Sequence, residues 1–260
     1  MDATQTVNGD GGKTEVKILM LHGYTQSGPL FHAKTRALEK SLTKTLASSS
    51  LLPVLLYPTG PNRLRPRDIP GYELAGDGDE DDDSQTDCWA WFRKDEATVT
   101  YRFFDEGMAV IADAIRHAGG VDGVCGFSQG GAVAGLVAAA MESDRPAPEG
   151  AAGDWARRLR EANAGRSLRF AVSYSGFFGP VDGLRWCYDP KIKTSMMHYL
   201  GSLDTVVDES RSRGLIDRCE EPVVVVHPGG HHVPVAKQWT MALAGFIRQR
   251  ALPGHPEPGL

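Results

Sequence analysis

Residues 121–141 read VDGVCGFSQGGAVAGLVAAAM and connect a strand to a helix through a glycine-rich turn. The apolar run 121–125 predicts a strand that is covered on both faces, as in a parallel sheet. The small apolar residues of 130–141 predict a buried helix, and this run is too short to span a bilayer. A strand that leads directly into a helix is the repeating unit of parallel α/β folds.

The same alternation recurs along the chain. Short apolar runs that predict buried strands occupy 16–21, 52–57, 121–125, 168–174, 196–200 and 223–226. Helical patterns occupy 29–46, 101–117, 129–141 and 210–219. Six buried strands that alternate with helices predict an α/β domain with a mostly parallel central sheet and helices on both faces.

Two segments interrupt this alternation and predict lid-like insertions, at about 58–98 and 143–167. We expect both to lie at the carboxyl ends of strands or on the rim, where open α/β sheets bind ligands. The single domain is expected to span 16–250, between a flexible leader at 1–15 and a tail at 251–260.

The charge of the chain argues against two classes of partner. Its 260 residues carry 28 Lys and Arg against 33 Asp and Glu, so no general basic surface is available for nucleic acid or an acidic membrane. Seven of the acidic residues lie in 76–87, GDGDEDDDSQTD, which has no basic residue. This run predicts a solvated loop or, alternatively, a mobile flap beside a site.

The cysteines and the N-terminus predict a cytoplasmic protein. Successive cysteines lie more than 30 residues apart, which indicates neither a zinc site nor a disulfide framework. The polar start MDATQTVNGDGG lacks the basic and apolar stretches of a secretory signal. We therefore expect free thiols in a reducing compartment at Cys88, Cys125, Cys187 and Cys219.

The turn at 126–130, GFSQG, matches the pattern G-x-S-x-G. Between a strand and a helix, this pattern is typical of a nucleophile elbow, in which glycines flank the serine because larger side chains would clash. Ser128 is therefore the candidate nucleophile. The alternative is a phosphate-binding turn, but the dinucleotide pattern G-x-G-x-x-G and the P-loop pattern are both absent.

A serine nucleophile needs a base and a carboxylate that orients the base, and in this fold they follow the serine as acid, then histidine. The spacing favours His231, which follows two glycines, and leaves His232 and His227 open. His227 precedes a proline and is expected to have a packing role. A metal site on these histidines is less favoured, since no carboxylate or cysteine lies at ligand spacing beside them.

For the acid, Asp204 lies just past the strand 196–200, although a turn aspartate is the alternative. Asp208 comes next, at the start of a helix, where an N-cap is the ordinary role. An oxyanion would need two backbone N–H donors, which we assign to Gln129 and Tyr24. His22 is expected to be a structural, hydrogen-bonded residue.

These segments together resemble the FSH-type family of serine hydrolases, fungal and animal proteins with the α/β-hydrolase fold. The matching segments are 17–24 (KILMLHGY), 89–92 (WAWF), 122–130 (DGVCGFSQG), 175–177 (SGF), 201–204 (GSLD) and 227–231 (HPGGH). The resemblance implies Ser128, Asp204 and His231 as catalytic triad, with no metal or organic cofactor. It also implies hydrolysis of carboxylic esters or thioesters.

Some fungal relatives resemble thioesterases that release polyketide chains, so an acyl-carrier or synthase protein is an expected partner beside a small acyl ester or thioester. Aromatic residues at Phe177, Phe178 and Trp89 are expected to wall the acyl pocket, whereas Trp91 and Phe92 fit core packing at least as well. Two alternatives stay open: a non-catalytic ligand-binding protein on a hydrolase scaffold, and an acyltransferase that uses the same triad.

Overall fold

The structure is a computed structural model that describes residues 12–65, 68 and 87–251. Most of the predicted leader, the tail from residue 252 and the acidic run 76–87 apart from Asp87 lie outside the described residues. The two interpretations of the acidic run therefore stay predictions.

The described residues contain ten strands and six α-helices. The strands are β1 (Thr14–Leu21), β2 (Leu51–Leu56), β3 (Asn62–Arg63), β4 (Trp89–Ala90), β5 (Arg93–Asp95), β6 (Thr100–Arg102), β7 (Gly123–Phe127), β8 (Phe170–Tyr174), β9 (Met196–Gly201) and β10 (Val223–His227). The helices are α1 (Gly28–Leu46), α2 (Phe104–His117), α3 (Gln129–Ala140), α4 (Ala151–Ala162), α5 (Glu209–Ile216) and α6 (Lys237–Ala251). Among them, no helix is long and apolar enough to cross a membrane.

The six predicted strands form one sheet in the order β10-β9-β8-β7-β1-β2, and every neighbouring pair that the structure describes is parallel. Side chains alternate between its two faces, as the pleat requires. Ile18 and Met20 pack with α1 and α6, whereas Leu19 and Leu21 pack with α2, α3 and α4. The prediction of a parallel sheet with helices on both faces is confirmed.

The two insertions contain regular structure of their own. The described part of the first forms two antiparallel pairs, β3 with β4 and β5 with β6. One prediction was wrong at its start: the helix expected over 101–117 begins only at Phe104. The residues before it form β6 and pair with β5. The second insertion contains α4, which buries Trp155 and Leu159 in the core shared with α2.

The order of the strands determines where the candidate site lies. The chain runs from β1 outward to β2 and then returns to β7 on the other side of β1. The carboxyl ends of β1 and β7 therefore flank the point where the winding reverses, which is where open α/β sheets bind ligands. His22 and Gly23 leave β1 there, and Ser128 leaves β7.

Candidate active site

Ser128 occupies a strained turn between β7 and α3. Its backbone has φ 53° and ψ −115°, a conformation that non-glycine residues rarely adopt. A Cβ on Gly126 would lie 1.9 Å from the carbonyl oxygen of Gly130, and one on Gly130 would lie 2.1 Å from that of Leu21. Both glycines are thus required by close backbone contact, as the sequence pattern predicted.

Gln129 begins α3 and fixes the elbow through its side chain. Its Oε1 accepts a hydrogen bond from the Trp91 backbone N–H at 2.8 Å, and its Nε2 donates to the Phe92 carbonyl at 2.9 Å. All three residues are buried. Sequence reasoning missed this side-chain role and assigned only the backbone of Gln129, although WAWF stood among the matching segments. The core packing of Trp91 and Phe92 is confirmed.

His22 is a structural residue, as predicted. The Gly60 backbone N–H donates to its Nε2 at 2.9 Å, so the ring proton is on Nδ1, which lies 2.8 Å from the Gly23 carbonyl oxygen and donates to it. Burial lowers the pKa of His22 to about 4. The indole N–H of Trp91 donates to the His22 carbonyl at 2.9 Å, which ties the loop after β1 to the same network.

The loop after β1 runs beside Ser128. A Cβ on Gly23 would lie 3.0 Å from the Phe127 ring, which is tighter than ordinary contacts, and 3.4 Å from the Cβ of Ser128. Glycine therefore allows the loop to approach the elbow closely. Tyr24 follows directly, and its phenol donates to the Asp68 carbonyl at 3.0 Å. The Gln129 N–H lies in the first turn of α3, where amides have no acceptor within the helix. These are the two residues whose amides were predicted to bind an oxyanion.

Asp204 and His231 are in direct contact. His231 Nδ1 lies 2.8 Å from Asp204 Oδ2, while Asp204 Oδ1 accepts from the Val206 and Val207 amides at 2.9 and 3.0 Å. Burial alone would raise the pKa of Asp204, but hydrogen bonds from Val207, His231 and Val206 outweigh it and lower the pKa. The carboxylate is therefore held ionised against His231.

His231 also lies next to the elbow. Its ring centroid is 4.8 Å from that of Phe127, the residue before Ser128. Because Nδ1 is bonded to Asp204, Nε2 is the nitrogen left for a reacting group. Ser128 Oγ and His231 form no hydrogen bond in the structure, and such catalytic contacts commonly tighten only when substrate binds.

The competing residues have other partners. Asp208 caps α5, since its side chain accepts from the Ser210 amide at 2.8 Å, as expected. His227 is 2% exposed and packs against His232, with ring centroids 5.0 Å apart, and against Trp239. A packing role for His227 is confirmed, and neither His227 nor His232 hydrogen-bonds Asp204.

The predicted pocket residues are half-buried aromatic side chains. Phe177 lies under the guanidinium of Arg211, 4.2 Å from the ring centroid, and Phe178 under that of Arg218 at 3.4 Å. The indole N–H of Trp89 donates to the Asp87 carboxylate at 2.9 Å. Their part in an acyl pocket stays a prediction.

The parallel sheet and the strained serine turn define the class of the protein, an α/β hydrolase. Solved structures agree on the fold: a variant of SOBER1 from Arabidopsis thaliana covers 91% of this chain and 100% of its own at TM-score 0.56 and 17% identity. Zea mays acyl-protein thioesterase 2 covers 92% of this chain and 95% of its own at TM-score 0.55 and 18% identity.

Within that class, residues 12–243 match the model of the family described as serine hydrolase (FSH1), so the chain belongs to that family. It is 29% identical over 243 residues to "Family of serine hydrolases 2" of Saccharomyces cerevisiae, covering 89% of this chain and 97% of that protein. Esterase OVCA2 of Xenopus tropicalis is 28% identical, with 90% and 92% covered. A Schizosaccharomyces pombe protein named dihydrofolate reductase is 29% identical, covering 89% of this chain, which spans 47% of that relative's length.

Proposed function

We propose that the protein hydrolyses small carboxylic esters or thioesters through an acyl-enzyme on Ser128. The observation that carries the proposal is the 2.8 Å hydrogen bond between Asp204 and His231, held beside a strained serine turn. A serine, a histidine and a carboxylate in these positions form the machinery of acyl transfer. Membership of the serine hydrolase family and the esterase names of relatives support the same reaction.

The reaction proceeds in two halves. His231 Nε2 takes the proton of Ser128 Oγ as this oxygen attacks the carbonyl carbon, and the tetrahedral intermediate then expels the alcohol or thiol, which takes the proton from His231. Water repeats the attack on the acyl-enzyme with the same base and releases the acid and free Ser128. Asp204 keeps the proton of His231 on Nδ1 and stabilises the imidazolium.

Negative charge that develops on the carbonyl oxygen needs donors placed in advance. We assign this role to the Gln129 and Tyr24 amides, supported by the position of Gln129 at the N-terminus of α3 and by the position of Gly23 beside the elbow. Loss of one such donor typically costs on the order of 3 kcal/mol of transition-state stabilisation.

The proposed acyl group is inferred from three aromatic side chains. Phe177, Phe178 and Trp89 are assigned to the walls of an acyl pocket, which suits an apolar acyl group. An acyl-carrier or synthase protein as donor of the acyl chain, and a cytoplasmic location, belong to the same proposal. The location is supported by the four cysteines, which are all free.

A fluorophosphonate probe tests the assignment of the nucleophile. The wild-type protein should be labelled, whereas Ser128→Ala should not be, because the probe reacts only with an activated serine. Ser202→Ala, at an exposed serine, is the matched control and should label normally. Unchanged labelling of Ser128→Ala would overturn the assignment. Normal labelling without turnover of any ester or thioester would favour the ligand-binding or acyltransferase alternatives.

A further inference from the structure

Ser175 is the first residue beyond β8, at the same edge of the sheet as Ser128. It is 2% exposed and has φ +48°, in the left-handed region that favours glycine. Its backbone N–H donates to the Tyr199 carbonyl in β9 at 2.9 Å, which fixes it beside the strand that leads to Asp204. The Ser175 backbone is therefore fixed at this edge of the sheet.

The hydroxyl of Ser175 is buried without a hydrogen-bond partner. A buried hydroxyl without a partner destabilises a fold, and so does a positive φ at a residue other than glycine. Alanine would avoid the first cost, and glycine would avoid both. Costs of this kind are typical of residues that serve a site rather than the fold.

The Asp204 carboxylate is the acceptor that this hydroxyl can serve. Two amides bond to Asp204 Oδ1 and His231 bonds to Oδ2, so the carboxylate has accepting capacity left on Oδ2. A hydrogen bond from the Ser175 hydroxyl would lower the pKa of Asp204, as the bonds from His231 and the two amides do. β8 and β9 are neighbours in the sheet, so Ser175 lies beside the strand whose end leads to Asp204.

We propose that Ser175 is a positioning residue that donates a hydrogen bond to the Asp204 carboxylate and so holds that group in line with His231. This inference rests on the proposed catalytic role of Asp204. Ser175 touches no reacting atom; it limits rotation of the carboxylate, which in turn fixes the tautomer and the direction of the imidazole. It also gives a role to Ser175 in the segment 175–177, of which the proposed function uses only Phe177.

Two variants separate the hydroxyl from the backbone. Ser175→Ala removes the hydroxyl and keeps the strained φ, whereas Ser175→Gly removes the hydroxyl and relieves the strain. If the hydroxyl positions Asp204, both variants should lose kcat by about 10-fold with little change in KM. If backbone conformation alone matters, Ser175→Gly should be fully active. If the hydroxyl is an unpaired group without function, both variants should be fully active and at least as stable as the wild type.

A second measurement is independent of turnover. Carbon-13 NMR of the Asp204 carboxyl should show its pKa raised in both variants, because a donor to the ionised form is lost. Ser173→Ala removes another buried hydroxyl of the same strand, one that bonds to the Gly131 carbonyl at 3.3 Å, and should leave the pKa of Asp204 unchanged. An unchanged Asp204 pKa in the Ser175 variants would overturn the inference. A protein without esterase activity would instead count against the proposed function, and the NMR result would still decide on the Ser175 contact.

Discussion

At the scale of single residues, Asp204 and Asp208 offer a matched pair, only four positions apart. Asp204 bonds to His231, and Asp208 caps α5. Both side chains are carboxylates, so if the same substitution changes activity at one position and not at the other, the cause is the position of the residue.

We expect Asp204→Asn to lower kcat by about 10⁴-fold, because an amide no longer stabilises the imidazolium and favours the wrong tautomer of His231. Asp208→Asn should keep full activity, since asparagine is an equally good N-cap. Steady-state hydrolysis of p-nitrophenyl esters measures both. A larger loss in the Asp208 variant would contradict the assignment of the acid.

The sequence predicted Ser128, Asp204 and His231 because each follows the end of a predicted strand and carries a recognisable spacing. It did not predict the roles of Ser175 or the Gln129 side chain. Both depend on contacts between segments far apart in the chain, such as Gln129 with Trp91, and a single sequence contains no periodicity that reports such contacts.

At the scale of elements, the Gln129 side chain connects α3 to the segment around β4 and β5. The two hydrogen bonds satisfy the Trp91 N–H and the Phe92 carbonyl, both at buried residues. Loss of this connection would leave two buried backbone groups without partners.

Gln129→Leu should therefore lower the free energy of unfolding by about 2–4 kcal/mol in total. Gln26→Leu is the comparison, since Gln26 accepts a single, longer bond of 3.3 Å from the Gly23 amide and should cost less. Urea denaturation of the two variants measures the difference. Equal losses of unfolding free energy in the two variants would contradict the stabilising role of the two Gln129 hydrogen bonds.

The six strands of the main sheet were predictable because each contains a mainly apolar run. The strands β3 to β6 were not, since strands of two or three residues are too short to show an alternating pattern. The early helix start predicted at residue 101 has the same origin: nothing in the local pattern distinguishes the three residues of β6 from a helical turn.

At the scale of the whole molecule, two buried histidines link stability to pH. Burial lowers the pKa of His22 and of His198 to about 4 in the folded protein. In the unfolded chain a histidine titrates near pH 6.5. Between these values the unfolded state binds more protons, so stability is complete above pH 6.5 and falls as the pH is lowered.

From pH 6.5 to pH 5, the free energy of unfolding should fall by about 1.5 kcal/mol for each histidine. Urea denaturation across this range measures the slope. His198→Gln should remove about half of the effect, whereas His117→Gln, at an exposed histidine, should leave the slope unchanged. A flat profile between pH 6.5 and 5 would contradict the neutral, buried state of both rings.

The class of fold followed from the alternation of strands and helices, but the order of the strands did not. Apolar runs predict which segments enter the sheet and not which segments are neighbours. The return of the chain from β2 to β7, which brings Gly23 beside Ser128, depends on the pairing of β1 with β7, two segments about 100 residues apart in the chain.

Mass spectrometry of the protein quenched during turnover of a slow ester tests whether Ser128 carries the acyl group. We expect one acyl group per chain, on the peptide that contains Ser128, with a decay rate that matches kcat. Turnover without this adduct, or an adduct of the same yield in Ser128→Ala, would contradict this expectation.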